Sequence, residues 1–134
     1  MSWLKDLLQT DHRLRVLAIT SSDPDRAFLE GIAGRAHWDL KLVSSCEAAV
    51  APVRHQAPAV ILCDRDLPGT DWREAVRYLR EHLPASAIII LAAEMDDRFW
   101  LEVIQRGGYD VVTRPLHEHR VVATVRQASL QPTK

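Results

Sequence analysis

The sequence contains little of what marks several large classes of protein. Its 134 residues include two cysteines, Cys46 and Cys63, which lie in apolar segments and form no CxxC pair. This pattern excludes a disulfide framework and a cysteine-rich metal site, and it indicates small core residues of a reduced, cytoplasmic protein. The formal net charge is −1 and no basic stripe is present, so binding to nucleic acid is not expected.

Long apolar runs and targeting signals are also missing. No stretch approaches the roughly 20 apolar residues of a membrane-spanning helix. The start, MSWLKDLLQT, is too short and too charged for a secretory signal. Residues 1–12 are predicted to form a short amphipathic helical extension, which either packs on its own domain or docks elsewhere. Only QPTK follows the last predicted helix, so no output domain is expected.

Short apolar runs alternate with longer amphipathic stretches through residues 13–130, which we interpret as one domain. Strands β1 to β5 are predicted at 15–20, 39–43, 59–63, 87–93 and 109–113. Helices α1 to α5 are predicted at 23–36, 45–56, 72–83, 96–108 and 116–130. This alternation predicts an α/β fold: a (βα)5 doubly wound parallel sheet of order 2-1-3-4-5, of the flavodoxin-like kind.

In such a sheet the functional crevice lies at the carboxyl ends of the strands. The residues found there are Ser21, Ser22 and Asp23 after β1, Asp64, Arg65 and Asp66 after β3, Ala92 and Ala93 after β4, and Arg114 and Pro115 after β5. One carboxylate leaves a central strand, and one fixed cation follows the last strand. Asp23 precedes Pro24, which favours a helix N-cap over a ligand.

Three motifs in this order resemble the receiver domain of two-component response regulators, over residues 13–129. They are SSDPDR after β1, CDRDLPGTDW at the end of β3 and RGGYDVVTRPL around β5. The resemblance to this family, which includes single-domain chemotaxis regulators, implies a receiver fold in phosphorelay signal transduction. It implies an aspartate acceptor at Asp64, phosphorylated by a histidine kinase or a small phosphodonor with Mg²⁺ bound beside it.

The family's helper residues carry over unevenly. Asp66 falls on the residue whose carbonyl binds the metal, and the Arg114–Pro115 bond falls on a position that is cis in the family. The departures are Ser21 and Ser22 at the acidic pair, Ala92 at the hydroxyl position, Arg114 at the lysine, Val111 at the aromatic switch position and Trp72 at a glycine.

These departures weaken the metal site. Mg²⁺ prefers carboxylate ligands, and of the family's ligand set only the Asp64 carboxylate and the Asp66 backbone carbonyl remain. A guanidinium suits a carboxylate well, so we hypothesise that Arg114 takes the place of metal and lysine and pins Asp64. The sequence therefore predicts a degenerate receiver, or pseudo-receiver, that is not an enzyme, has no cofactor beyond weakly bound Mg²⁺, and acts through protein contacts.

The predicted helix α4 carries more apolar surface than one buried face needs. Leu101 and Ile104 are predicted to face inward, while Phe99, Trp100 and Val103 widen the apolar arc to about 200°. We interpret these three as a partner face, unless the N-terminal extension or a shifted α4 covers them. Candidate partners are a histidine kinase, a second receiver or another signalling protein, with a homodimer through the α4-β5-α5 face as one arrangement.

Two other functions stay open. One is a conventional receiver that is phosphorylated at Asp64 with an unusual metal set. The other is a flavodoxin-like enzyme or small-molecule binder at the same crevice. Against the latter, SSDPDR after β1 has no glycine-rich phosphate loop.

Overall fold

The computed structural model describes residues 13–131 as a five-stranded parallel sheet with helices on both faces. The strands are β1 Leu14–Ile19, β2 Trp38–Val43, β3 Val60–Asp64, β4 Ala87–Ala92 and β5 Asp110–Thr113. Their order is β2-β1-β3-β4-β5. The predicted fold and strand order are confirmed, and β3 lies at the centre of the sheet.

Five helices connect and follow the strands. They are α1 Asp23–Ala36, α2 Cys46–Val53, α3 Trp72–His82, α4 Asp97–Gln105 and α5 Glu118–Ser129. Helix α2 is shorter than predicted and ends one residue after its internal Pro52, as the missing N–H and the ring of proline favour. Helix α4 is followed by Gly107 at φ 103°, a left-handed conformation that favours glycine.

The N-terminus of α1 differs from the prediction. The cap is Ser22, whose hydroxyl accepts from the backbone N–H of Asp25, and Asp23 is the first helical residue. The expectation that Asp23 is the N-cap was therefore wrong by one position. Serine and aspartate are both strong caps, so the choice between neighbours depends on where the chain leaves β1.

The strands bury side chains on both faces, as expected for parallel strands between two helical layers. Along β3, Ile61 and Cys63 face the layer of α2, α3 and α4, while Val60 and Leu62 face α1 and α5. Both cysteines are buried and free, as predicted.

The predicted N-terminal extension, residues 1–12, lies outside the described residues. Within residues 13–131, no helix is long and apolar enough to cross a membrane.

Candidate functional site

Asp64 ends the central strand β3 and is almost fully buried, with its side chain 7 % exposed. Its Oδ1 accepts a hydrogen bond from the backbone N–H of Asp66 at 3.0 Å. Its Oδ2 accepts from the Thr20 hydroxyl at 3.2 Å and lies 3.0 Å from the Nη2 atom of Arg114. Every oxygen of this carboxylate therefore has a protein partner.

Arg114 reaches Asp64 from the end of β5. Its backbone N–H donates to the carbonyl of Ala92 at 2.9 Å, which continues the β4–β5 ladder, and its peptide bond to Pro115 is cis, as predicted. The guanidinium contacts two carboxylates: Nε and Nη2 each lie 2.8 Å from Oδ2 of Asp25, and Nη2 also contacts Asp64. We call Arg114, Asp25 and Asp64 the Arg114 cluster.

The Arg114 cluster consists of one positive and two negative side chains that are largely buried. The side chains are 25 % exposed for Arg114 and 11 % for Asp25. Burial alone would lower the pKa of Arg114, but the hydrogen bond that its guanidinium donates to Asp25 and the charges of Asp64 and Asp25 outweigh burial and raise the pKa. The guanidinium is therefore charged at neutral pH.

Thr20 and Asp25 belong to the site, although neither was predicted from the sequence. Ile19 of β1 is paired with Cys63 of β3, so the next residues along, Thr20 and Asp64, come side by side. Parallel register could have revealed Thr20, because residues after paired strand ends meet at one edge of the sheet. Asp25 lies inside helix α1, and the direction in which its side chain points depends on how α1 is rotated about its axis.

The other predicted residues after β1 and β3 lie around this cluster without contacting the Asp64 carboxylate through their side chains. Ser22 caps α1, and its backbone N–H donates to the Thr20 hydroxyl at 3.1 Å. Ser21, Asp23 and Asp66 are exposed, and Arg65 is partly buried. The structure thus brings Arg114 to Asp64 as hypothesised, but places Thr20 at the acceptor where serines were expected.

Ala92 and Val111 place apolar side chains at the two positions where the family pattern has a hydroxyl and an aromatic switch residue. Ala92 and Val111 are fully buried and belong to one hydrophobic cluster with Trp72 and Phe99. The rings of Trp72 and Phe99 meet edge-to-face, with centroids 5.2 Å apart, a favourable aromatic geometry. The buried Nε1 of Trp72 has no hydrogen-bond partner among the described residues.

A second charged cluster covers this aromatic pair. Glu102 of α4 accepts from Nη2 of Arg73 on α3 and from Nε of Arg106, each at 2.9 Å. The guanidinium carbons of Arg73 and Arg106 lie 4.8 and 5.9 Å from the Trp72 ring centroid, within the range of cation–π attraction. We call Glu102, Arg73 and Arg106 the Glu102 cluster; it ties α3 to α4.

The orientation of α4 corrects the predicted partner face. Phe99 and Val103 are buried in the core, 8 % and 0 % exposed, so they are not available to a partner. Leu101 is 49 % exposed and does not face inward, whereas Trp100 is exposed as the partner hypothesis requires. The Trp100 indole Nε1 donates to Oδ1 of Asp110 on β5 at 3.1 Å.

A cavity of about 630 Å³ lies at the opposite edge of the sheet. Ala87 and Tyr109, at the amino ends of β4 and β5, line it together with Arg80. It includes no residue of the predicted crevice, and therefore does not support a small-molecule site at Asp64.

The strand order and the buried aspartate at the end of β3 define a flavodoxin-like α/β domain with an acidic residue at the carboxyl edge of its sheet. Residues 25–126 match the family described as the response regulator receiver domain. This is more than half of the chain, so the chain belongs to the response regulator receiver domain family. Proteins of this family work in two-component signal transduction, where they interact with histidine kinases and other signalling proteins.

One sequence relative agrees with this assignment, and two solved structures share the fold. The transcriptional regulatory protein AfsQ1 of Streptomyces coelicolor is 30 % identical over 124 residues, covering 88 % of this chain and 54 % of AfsQ1. The chemotaxis response regulator CheY4 of Vibrio cholerae superposes with a TM-score of 0.77 at 19 % identity, covering 87 % of this chain and 98 % of CheY4. A putative response regulator from Chloroflexus aurantiacus gives 0.79 at 21 %, covering 89 % and 99 %.

The chain spans only part of many regulators that it resembles. It covers 31 % of YesN of Bacillus subtilis and 18 % of HoxA of Cupriavidus necator. The prediction that no output domain is attached stays a prediction.

Proposed function

We propose that this receiver domain is a pseudo-receiver, a protein-interaction module in which Arg114 holds Asp64 and phosphorylation of Asp64 is weak or absent. One observation carries the proposal: Arg114 Nη2 lies 3.0 Å from Oδ2 of a carboxylate that is 7 % exposed. A charge-assisted contact of this kind competes directly with any phosphodonor or metal. We also propose that the protein is cytoplasmic, since its cysteines are free and buried.

The residues around Asp64 do not fit the Mg²⁺ that the family implies. Mg²⁺ demands near-octahedral oxygen coordination and is usually bound through carboxylates. At Asp64 the nearest side-chain oxygen from β1 is the neutral hydroxyl of Thr20, and the guanidinium of Arg114 stands at Oδ2. No group of three acidic, histidine or cysteine residues suited to a metal occurs within residues 13–131. Any Mg²⁺ bound through Asp64 and Asp66 is therefore expected to be weak.

The site also offers little to an enzyme. A phosphoryl group on Asp64 would need donors at its oxygens, yet the hydroxyl position is Ala92, which is fully buried and apolar. Removing such a donor costs a hydrogen bond to a charged group, about 1.5–3 kcal/mol. We therefore propose that this domain signals without catalysis of its own.

Partner binding is assigned in this proposal to α4 and its neighbours. Trp100, Leu101 and Met95 are exposed at 40 %, 49 % and 43 %, and tryptophan is prominent among residues that dominate binding energy. The partner is a signalling protein: a histidine kinase, a second receiver, or a second copy bound through the α4-β5-α5 face. Substitution Trp100→Ala should weaken binding to the partner without unfolding the domain. Sedimentation of the wild type and of Trp100→Ala tests the homodimer.

Phosphorylation itself is tested by intact-mass measurement after incubation with Mg²⁺ and acetyl phosphate. We expect the wild type to show no more adduct than Asp64→Asn, in which the acceptor is removed. Titration with Mg²⁺ and beryllofluoride, followed by tryptophan fluorescence, should likewise leave both proteins unchanged. A phosphoryl adduct on the wild type that is absent from Asp64→Asn would establish a conventional receiver instead.

A further inference from the structure

Asp25 is the residue that contacts Arg114 most extensively. Its Oδ2 lies 2.8 Å from both Nε and Nη2 of the guanidinium, whereas Asp64 contacts Nη2 alone at 3.0 Å. It belongs to none of the three motifs' functional positions and precedes the other cluster members by 39 residues or more in the chain. We propose that Asp25 is a positioning residue that holds Arg114 across the Asp64 carboxylate, a role that rests on the proposed function.

The contacts explain why Asp25, rather than Asp64, orients the guanidinium. Two nitrogens on one edge of Arg114 converge on one oxygen of Asp25, which fixes both the position and the tilt of the planar group. The single contact to Asp64 fixes neither. Asp64 also has other donors, the Thr20 hydroxyl and the Asp66 N–H, so it depends less on Arg114 than Arg114 depends on Asp25.

The backbone around Asp25 is itself well supported. Its N–H donates to the Ser22 cap at 3.3 Å, and it lies in the first turn of α1. The N-terminal end of a helix stabilises a negative side chain. The cap and the helix terminus therefore support the Asp25 backbone and its negative charge, and the contact with Arg114 ties α1 to the segment that follows β5.

The consequence is a positioned arginine that blocks the acceptor. With Asp25 present, a group approaching Asp64 must displace a guanidinium held by three contacts. Without the Asp25 charge, Arg114 keeps one contact from a partly exposed side chain and can turn to solvent.

The test compares Asp25→Asn with Asp23→Asn. Both variants remove one carboxylate from the first turn of α1, but the Asp23 side chain is exposed and makes no hydrogen bond or ion pair within residues 13–131. Hydrogen exchange of the Arg114 Nε–H, measured by NMR, should be at least about tenfold faster in Asp25→Asn and unchanged in Asp23→Asn. Exchange within about twofold of Asp23→Asn would overturn the proposal.

A measurement on the wild type removes the dependence on a foldable variant. The Arg114 Nε–H should exchange at least about tenfold more slowly than that of Arg98, which is exposed and without a contact among the described residues. Equal rates would sink the role of Asp25. Asp25→Glu, which restores the charge, should recover protection that Asp25→Asn loses.

The same samples separate this inference from the proposed function. Tight binding of Mg²⁺ and beryllofluoride by the wild type would refute the pseudo-receiver, whatever the exchange rates. A wild type that does not respond to Mg²⁺ and beryllofluoride, but whose Arg114 Nε–H exchanges rapidly, would refute the positioning role alone. The pseudo-receiver proposal predicts that the wild type shows no response to Mg²⁺ and beryllofluoride. The positioning role predicts that the Arg114 Nε–H is protected in the wild type and that Asp25→Asn responds to beryllofluoride more strongly than Asp23→Asn.

Discussion

The Arg114 cluster and the Glu102 cluster have the same arrangement with the charges reversed. In the Arg114 cluster one cation is shared by two carboxylates, and in the Glu102 cluster one carboxylate is shared by two cations. Their burial differs: the side chains are 25, 11 and 7 % exposed in the first and 40, 28 and 46 % exposed in the second. The same chemistry therefore operates in two different dielectric surroundings.

The comparison shows that burial decides what an ion pair does. An exposed pair gains little, because water screens both charges and the long side chains lose freedom. A buried charge left without its partner is costly, because water cannot replace the lost contact. The Arg114 cluster can therefore hold a functional carboxylate, whereas the Glu102 cluster mainly covers the Trp72 ring and joins two helices.

The largest effect is expected from Arg114→Met, which leaves two nearly buried carboxylates without their cation. Breaking a buried ion pair by removing one partner costs roughly 3–5 kcal/mol, measured here as the free energy of unfolding in urea. Arg98→Met, on an exposed side chain of α4, is the control and should be neutral. A cost for Arg114→Met as small as that of the control would end the distinction between the clusters.

A smaller effect is expected from Glu102→Gln, which removes the hub of the exposed cluster. We expect the melting temperature to fall by at most about 2–4 °C, the range of a modest surface interaction. Most of that difference should disappear in about 1 M salt, where the Debye length is about 3 Å. Glu94→Gln, an exposed residue without a contact among residues 13–131, is the matched control.

Acid pH should sharpen the role of Glu102. Hydrogen bonding from Arg73, opposed by burial and supported by Arg106, lowers the pKa of Glu102 from its ordinary 4.5 to about 2. Because the folded pKa is depressed, the stabilisation is present above pH 4.5 and is lost as the pH falls toward 2. The stability difference between wild type and Glu102→Gln should be constant from neutral pH to pH 5 and then shrink. A difference that persists at pH 2 would contradict this.

The smallest effect is expected from Arg35→Gln. Arg35 and Glu118 form a pair that joins α1 to α5, with side chains 64 and 43 % exposed. Such pairs often contribute nothing measurable, so thermal unfolding should be unchanged. If Arg35→Gln destabilised the domain as much as Glu102→Gln, exposure would not be the property that ranks these pairs.

The sequence alone predicted that Asp64 and Arg114 lie at one edge of the sheet, because chain order places them there. Asp64 and Arg114 directly follow buried strands, and the alternating pattern brings those strand ends to one edge. Which side of α4 packs against the core could not be predicted in the same way. Its apolar arc was too wide to indicate one inward direction, and packing of Phe99 against Trp72 settled which side is buried.

What the sequence by itself determined was the alternation of strands and helices, the strand order and the carboxylate at the end of β3. These follow from local periodicity and from the short list of ways in which such elements pack. Only the tertiary structure decided that Thr20 and Asp25 join Asp64 and Arg114. A contact between a helix turn and a loop 89 residues away depends on the rotation of α1 about its axis, which no local pattern specifies.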